Sequence, residues 1–564
     1  MSVDPSESSK SPGQSESSGS RPEVRTAAGA LRGTWEAGVA VFRGIPFAEP
    51  PVGSLRFAAP RPARGWDGVR EAVAYGPPPP QGGHFGMAAL AREAAGEDWL
   101  TVNVWTPEPG PGPEPAAGPG AGPDAGLPVM VWVQGGAYTI GMSGLPEYDG
   151  GLLARNRVVV VSFNYRVGIE GFGQIEGAPA NRGLLDQIAA LEWVRENIRA
   201  FGGDPERVTV FGQSAGGGSV AALLAMPRAA GLFGRAVVQS AQGTYFSPEL
   251  AADITGACAA ELGLRPTVAE LSTVAPARLS AASDAVSDAV GDAVGHAVGT
   301  KAAQWAERWG QAAYVPVLFS PVVDGDTLPV TPWQALADGA GRDIALLVGH
   351  TRHEQRLLTA LNGLLGQVTE EQAAKALRVF GPGPDGARRY RDGFPAANPD
   401  ELYEMVRSDR LFRMPSLHLA QAQTAAGSRA HVYELTWPAP GMGGVLGACH
   451  GLDVPLVFGN LDRGQPALLI GEGPSSEAGP EAGTVVGTAV GTEARGEAEA
   501  LSARMRAAWT AFATHGDPGW PAYDGEQRLV RLFDAEPAVA AYPEETSRLI
   551  WQDHTFSVLP LVGR

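Results

Sequence analysis

A serine inside a Gly-x-Ser-x-Gly pattern is the first residue of this chain whose surroundings indicate chemistry. Gly212, Ser214 and Gly216 form the pattern, a β-branched run at 208–211 precedes it, and an Ala- and Leu-rich run to residue 226 follows it. The order strand, tight turn, helix is typical of a nucleophile elbow, which exposes a serine hydroxyl on a strained turn. Such patterns also arise by chance in a chain with 75 glycines. The partners of Ser214 therefore decide the interpretation.

A second motif upstream of the serine has the composition of an oxyanion hole. The apolar run 129–133 predicts a core strand, and it continues into Gln134, Gly135, Gly136, Ala137 and Tyr138. Backbone N–H groups that bulky side chains do not obstruct are what an oxyanion hole requires. Alone, the motif is typical of a glycine turn after a strand. Its position before the predicted elbow favours the catalytic interpretation.

A serine hydroxyl is a good nucleophile only when a base takes its proton and a third group orients that base. In chains with such an elbow, the order is serine, acid, histidine. Glu354 follows a short predicted core strand at 344–349 and fits the acid best. Asp324 and Asp326 lie in a turn-rich segment, where aspartates more often form turns.

Five histidines follow the candidate acids: His418, His431, His450, His515 and His554. His450 lies in a glycine-flanked loop after the last clear predicted strand, 431–436. His418 falls in a helical run, His431 in that strand, and His515 at the end of an amphipathic helix predicted at 501–515. The pattern favours His450 as the base and leaves the other histidines open.

The elements around these residues alternate as strand, helix, strand. Apolar runs at 129–133, 158–163 and 208–211 predict buried strands, and apolar residues at helical spacing predict a helix from 181 to about 201. This alternation favours a mostly parallel sheet covered by helices. A hairpin is predicted at 24–34, and a Pro- and Gly-rich wrap over the surface at 41–60.

Composition restricts the function classes. The net charge of −18 argues against a nucleic-acid partner. Two cysteines, Cys258 and Cys449, do not make a disulfide framework, and both are expected to be reduced. Cys449 precedes His450, but a buried small hydrophobe is a more usual role than a thiol nucleophile. No spacing typical of a metal site occurs, so neither a metal nor a cofactor is expected.

Several segments are expected to carry no chemistry. Residues 1–22 are predicted to be a disordered tail and not a secretory signal. Low-complexity insertions are expected near 107–128, 281–300 and 471–499. In the second of these, Asp284, Asp288, Asp292 and His296 recur every four residues, which fits a loosely amphipathic helix or an insertion. No apolar run approaches the length of a membrane span, so a cytoplasmic protein is expected.

A series of motifs resembles the type-B carboxylesterase family, the cholinesterase-like branch of the α/β hydrolases, and especially its bacterial para-nitrobenzyl-esterase-like members. The matching stretches lie at 42–53, 97–105, 181–187, 200–205, 211–217 and 450–460. The resemblance implies an α/β-hydrolase fold for a single domain at 23–564, and an ester substrate. It implies Ser214 as nucleophile, Glu354 as acid and His450 as base.

The resemblance also implies that Gly136, Ala137 and Ala215 supply the N–H groups of the oxyanion hole. The chain departs from the family at Gln134, where His is usual, and at Gln213, where Glu is usual. Loss of a carboxylate beside the imidazole predicts a modestly slower enzyme. Trp99 replaces a cysteine of the animal members, which fits a chain outside oxidising compartments.

Two alternative functions stay open on the sequence. One is an amidase or carbamate hydrolase with the same three residues, because the pocket sets the leaving group. The other is a non-catalytic binding protein of the same fold, which the intact triad disfavours. Residues of the loop 75–97 and those near Tyr245 and Phe246 are expected to line the substrate pockets. A monomer or weak homo-oligomer is expected.

Overall fold

The computed structural model describes residues 20–83, 96–110, 126–295, 300–315, 317–471 and 492–563. Its centre is an eleven-stranded sheet, and a three-stranded sheet lies near the amino terminus. The strands are β1 Glu23–Arg25, β2 Ala30–Arg32, β3 Thr34–Glu36, β4 Val39–Pro46, β5 Val69–Glu71, β6 Thr101–Thr106, β7 Leu127–Val133, β8 Val159–Phe163, β9 Gly203–Gln213, β10 Arg235–Gln239, β11 Ala345–Thr351, β12 Ala430–Leu435, β13 Leu529–Phe533 and β14 Ala538–Ala541.

The order of the large sheet is β14-β13-β12-β11-β10-β9-β7-β8-β6-β4-β3. All neighbours from β8 to β13 pair in parallel, whereas β3, β4, β6 and β14 add antiparallel edges. This confirms the predicted α/β-hydrolase class with its large, mostly parallel sheet. The small sheet contains the predicted hairpin, in which β1 pairs antiparallel with β2.

Helices cover both faces of the sheet. Alternate residues of β7 divide between two buried clusters, with Val129, Val131 and Val133 in one and Met130 and Trp132 in the other. Such division follows from the two-residue period of a strand that is buried on both faces. It explains why 129–133 is apolar without interruption.

The α-helices span Gly151–Ala154, Gly168–Phe172, Arg182–Asn197, Ala215–Ala225, Pro248–Ala260, Val268–Leu271, Pro276–Gly295, Thr300–Trp309, Pro332–Ala337, Arg356–Leu361, Glu370–Phe380, Gly386–Gly393, Pro399–Ser408, Met414–Ala425, Asp453–Phe458, Ala467–Ile470, Thr492–His515 and Glu545–Trp551. A π-helical turn, Asp409–Arg413, joins two of them. None of the described helices has the length and apolar character needed to cross a bilayer.

Three elements differ from the predictions. Residues 41–46, predicted as part of a wrap over the surface, belong to strand β4, which is mostly buried and pairs with β6 in the large sheet. Strand β9 begins at Gly203, five residues before the predicted run, and the last long helix begins at Thr492 and not at 501. The sequence predicts an insertion that includes 492–499, yet the Glu, Ala and Arg of this segment are good helix formers. The repeat with a period of four is helical up to Gly295.

Some predictions lie outside the described residues. These are most of the tail 1–22, the centres of the predicted insertions at 111–125 and 472–491, His296, and residues 84–95 of the predicted rim.

Candidate active site

Ser214 lies at the junction between β9 and the helix Ala215–Ala225. Its φ of 59° and ψ of −124° fall in a region that side chains other than glycine rarely adopt. The Ser214 N–H donates to the Gln239 carbonyl oxygen of the neighbouring strand, at 3.0 Å. The Ser214 carbonyl oxygen accepts from the Gly218 N–H at 2.8 Å, inside the helix. The sharp turn is therefore fixed from both sides, as a nucleophile elbow requires.

The glycines of the motif are required by close packing. A Cβ at Gly216 would lie 2.1 Å from the Val133 carbonyl oxygen, and a Cβ at Gly212 would lie 2.6 Å from that of Gly216. Only hydrogen fits at these two positions. The helix that begins after Ser214 consequently packs directly on the end of β7.

The chain after β7 turns back beside the elbow. Gly136 and Ala137 have φ values of 111° and 55°, in the left-handed region. The Gly136 carbonyl oxygen accepts from the N–H groups of Thr139 and Ile140. A Cβ at Gly135 would lie 3.3 Å from the Ser214 Cβ, so this loop and the serine are neighbours. Within the described residues, no acceptor is bonded to the N–H groups of Gly136, Ala137 or Ala215.

Glu354 is fully buried in the loop after β11 and accepts three hydrogen bonds. His450 Nδ1 lies 2.5 Å from its Oε2, and Oε1 accepts from Ser240 Oγ at 2.7 Å and from the Thr351 N–H at 2.8 Å. Burial raises the pKa of Glu354, but the charge and hydrogen bond of His450 and the Ser240 hydroxyl outweigh it. The net pKa lies below its ordinary value. Glu354 is therefore an ionised acceptor at neutral pH.

His450 reaches Glu354 because two loops pair backbone to backbone. His353 and Cys449, each directly before one of the two residues, form an isolated parallel bridge, and the His353 N–H donates to the Ala448 carbonyl oxygen at 2.8 Å. The bridge aligns the two loops across 96 residues of sequence. The structure thus brings together the acid and base that the sequence favoured.

Two further side chains contact the imidazole of His450. The ring of Phe412, from the π-helical turn, lies 4.3 Å away between centroids and is tilted by 36°. Gln213 Nε2 lies 3.1 Å from His450 Nε2. In the described part of the chain, His450 Nε2 is bonded to Gln213 and not to Ser214 Oγ. The sequence did not indicate Phe412, although π-helical turns are frequent at functional sites.

The other histidine and acid candidates lie elsewhere. His431 Nδ1 bonds to the Trp520 carbonyl oxygen near the amino end of β12, and His418 and His554 pack against Phe556. Asp324 Oδ1 accepts from the N–H groups of Asp326 and Leu328, which confirms a turn-forming role. None of these residues contacts the Glu354–His450 pair in the described structure.

A buried polar network surrounds Asp453, three residues after His450. Asp453 Oδ2 accepts from Gln239 Nε2 at 2.8 Å and from the Tyr433 hydroxyl at 3.0 Å. The Trp509 indole N–H donates to Gln239 Oε1. Burial raises the pKa of Asp453 to about 6, and the charge of Glu354 adds to the effect. This carboxyl group supports the loop that follows His450.

The two cysteines are free and buried, and burial raises the pKa of each thiol to about 12. Cys449 is thus the buried small side chain that the sequence favoured. Among the described residues, no group of three or more His, Cys, Asp or Glu is arranged to hold a metal ion.

The predicted pocket residues have structural contacts. The Tyr245 hydroxyl donates to the Gly218 carbonyl oxygen of the elbow helix, and its ring packs edge-on against Trp333. Phe246 forms backbone bridges to Val322 and Leu559. Both side chains are buried, and the Tyr245 hydroxyl supports the helix Ala215–Ala225.

Comparisons with known proteins agree with this geometry. The profile of the carboxylesterase family matches residues 20–381. The chain is 36% identical to a para-nitrobenzyl esterase of Bacillus subtilis (strain 168), over 93% of this chain and 97% of that protein. It is 32% identical to a phenmedipham hydrolase of Pseudarthrobacter oxydans, over 92% and 97% of the two chains.

Solved structures give the same result for the fold. The crystal structure of a Geobacillus stearothermophilus carboxylesterase superposes with a TM-score of 0.75 at 34% identity, covering 94% of this chain and all of the other. A para-nitrobenzyl esterase structure superposes with a TM-score of 0.74 at 34% identity, covering 94% and 99%. The chain belongs to the carboxylesterase family, and it is a serine ester hydrolase.

Proposed function

We propose that Ser214, His450 and Glu354 are the catalytic triad of this ester hydrolase. His450 Nε2 takes the hydroxyl proton as Ser214 Oγ attacks the ester carbonyl carbon, and the same proton then goes to the departing alcohol. The resulting acyl-enzyme is cleaved by water, which His450 deprotonates in turn. Glu354 holds the imidazole in one tautomer and stabilises the imidazolium.

The observation that carries this proposal is the hydrogen bond between Glu354 and His450, which two paired loops hold in place. These loops lie at the same end of the parallel strands as the strained Ser214. A histidine with only a packing role in the core needs neither a buried carboxylate on Nδ1 nor a position beside a strained serine. A buried, ionised carboxylate on Nδ1 leaves Nε2 as the only basic nitrogen of the ring. That arrangement suits proton transfer from a serine.

The N–H groups of Gly136, Ala137 and Ala215 are proposed to stabilise the negative oxygen of the tetrahedral intermediate. Each backbone donor of this kind contributes about 2.7–4 kcal/mol to the transition state. Their geometry does not depend on the side chain of Gln134, so the departure from the family motif leaves the donors in place.

We propose small to medium esters as the substrate class, in a cytoplasmic monomer or weak homo-oligomer. The two buried, unpaired thiols fit a reducing compartment. The same three residues also suit the cleavage of amides and carbamates, so an amide substrate belongs in the test.

The test compares wild type and Ser214→Ala on p-nitrophenyl acetate, p-nitrophenyl butyrate and p-nitroacetanilide. Wild type should hydrolyse both esters much faster than the anilide, and Ser214→Ala should lose ester turnover by a factor of about 10⁴ or more. Equal turnover by the two proteins would rule out Ser214 as the nucleophile. An anilide rate that exceeds the ester rates would replace the esterase assignment with an amidase.

A further inference from the structure

The side chain of Gln213 lies between the imidazole of His450 and the oxyanion loop, which is the segment 134–138 after β7. Gln213 ends β9, directly before Ser214, and only 6% of it is exposed. Its Nε2 is 3.1 Å from His450 Nε2, and a Cβ at Gly135 would lie 3.4 Å from its Oε1. The amide is therefore held beside the nitrogen on which the proposed mechanism depends.

The contact of His450 Nδ1 with Glu354 determines which group donates in the hydrogen bond between Gln213 and His450 Nε2. Glu354 is ionised and can only accept, so His450 Nδ1 carries the hydrogen that it donates to Oε2. In the neutral ring Nε2 then has a lone pair and no hydrogen. An amide nitrogen can only donate, so the Gln213 N–H occupies the Nε2 lone pair.

The same lone pair is the one that has to receive the Ser214 proton. One nitrogen lone pair accepts one strong hydrogen bond, so the Gln213 amide and the Ser214 hydroxyl compete for it. A glutamate at position 213 could not compete in this way, because a carboxylate has no hydrogen to donate.

We propose that Gln213 is a positioning residue that occupies the base in the resting enzyme and must withdraw before Ser214 can be deprotonated. This inference rests on the proposed function of His450. It predicts that removal of the amide donor speeds the attack of Ser214. A net neutral hydrogen bond corresponds to about a two- to tenfold change in rate.

Two variants separate the donor from the rest of the side chain. Gln213→Met keeps the length and removes the amide, whereas Gln213→Glu keeps the shape and replaces the donor with an acceptor. The reaction of Ser214 is measured directly as the second-order rate of inactivation by diethyl p-nitrophenyl phosphate. The pH profile of kcat/KM and the kcat and KM for p-nitrophenyl butyrate are measured alongside.

Both variants should react with the phosphate ester about two- to tenfold faster than wild type at pH 8, with kcat raised and KM little changed. In Gln213→Glu the acid limb of the profile should also move to higher pH, because a carboxylate beside the ring favours the imidazolium. Since Gln213→Glu preserves the shape of the side chain, it tests the inference even when Gln213→Met folds poorly.

Unchanged or slower inactivation in both variants, at wild-type melting temperatures, would overturn the inference. A uniform loss of rate together with a lower melting temperature would overturn it too, and would leave Gln213 a packing role. Wild type that resists the phosphate ester and does not turn over esters would instead refute the proposed triad. The two failures are therefore distinguishable.

Discussion

The contact between Gly216 and the end of β7 can be converted into a quantitative prediction about the elbow. A Cβ at Gly216 would lie 2.1 Å from the Val133 carbonyl oxygen and 2.9 Å from that of Gln134. Carbon–oxygen contacts are normally about 3.3 Å or longer. Because the obstructing atoms are backbone, Gly216→Ala has to move the elbow away from the oxyanion loop by about 1 Å.

Displacement of the nucleophile by about 1 Å costs about 100-fold in rate, and overpacking costs about 1–3 kcal/mol of stability. We therefore expect Gly216→Ala to lower kcat/KM for p-nitrophenyl butyrate about 100-fold and to lower the melting temperature. Release of p-nitrophenolate and differential scanning fluorimetry measure the two effects on the same preparation.

Gly256→Ala is the matched control, because Gly256 also lies in a helix, Pro248–Ala260, but a Cβ there has no atom within 4 Å. Alanine in an open helix position should stabilise the protein by about 0.5–1 kcal/mol and leave kcat/KM unchanged. If kcat/KM of Gly216→Ala lies within threefold of the wild-type value, close packing of Gly216 on the end of β7 does not fix the position of Ser214, and the prediction is refuted.

Two other perturbations test the groups that hold the base. Ser240→Ala removes a hydrogen-bond donor to the ionised Glu354, so kcat should fall about tenfold. The control Ser416→Ala removes only the acceptor of the Ala241 N–H and should change kcat less than twofold. Equal losses of kcat in the two variants would contradict this role of Ser240. The pKa of Asp453 is raised to about 6, so the folded protein holds the proton of this carboxyl group more tightly than the unfolded chain does. The stability that this proton contributes is complete below about pH 3.9 and is lost as the pH rises through 6. At pH 7–8 Asp453→Asn should therefore be more stable than wild type, by at most about 3 kcal/mol in the free energy of unfolding, and should melt at a higher temperature. Near pH 4 the two proteins should melt at similar temperatures. A difference in melting temperature that does not vary with pH would contradict the raised pKa.

The sequence predicted those parts of the site that local patterns determine. The elbow follows from glycines at fixed spacing between a β-branched run and an apolar helix. Chain order and position after core strands favour Glu354 and His450, and the resemblance to the carboxylesterase family selects His450 among the histidines that this pattern leaves open. The contacts of these residues involve distant segments. Ser240 reaches Glu354 from the end of β10, across 114 residues, and Phe412 reaches His450 from a π-helical turn. No local periodicity encodes such contacts.

The helix that begins at Thr492 shows that composition and helix propensity can predict different boundaries. The low complexity of 471–499 predicts an insertion, although the Ala, Glu and Arg of 492–499 have high helix propensity. Their composition predicts an insertion and their propensity predicts a helix, so the helix predicted at 501–515 is nine residues shorter than the helix Thr492–His515.

Gln213 shows why a departure from a family motif cannot be interpreted from the missing group alone. The sequence indicates a lost carboxylate, and this loss affects the imidazolium, the charged state of His450. The structure adds an amide donor 3.1 Å from Nε2, and this gain affects the neutral state. Gln213→Met changes only the second effect, whereas Gln213→Glu changes both. The difference in kcat between the two variants therefore measures the carboxylate contribution by itself, and equal kcat values would mean that the family carboxylate contributes nothing in this chain.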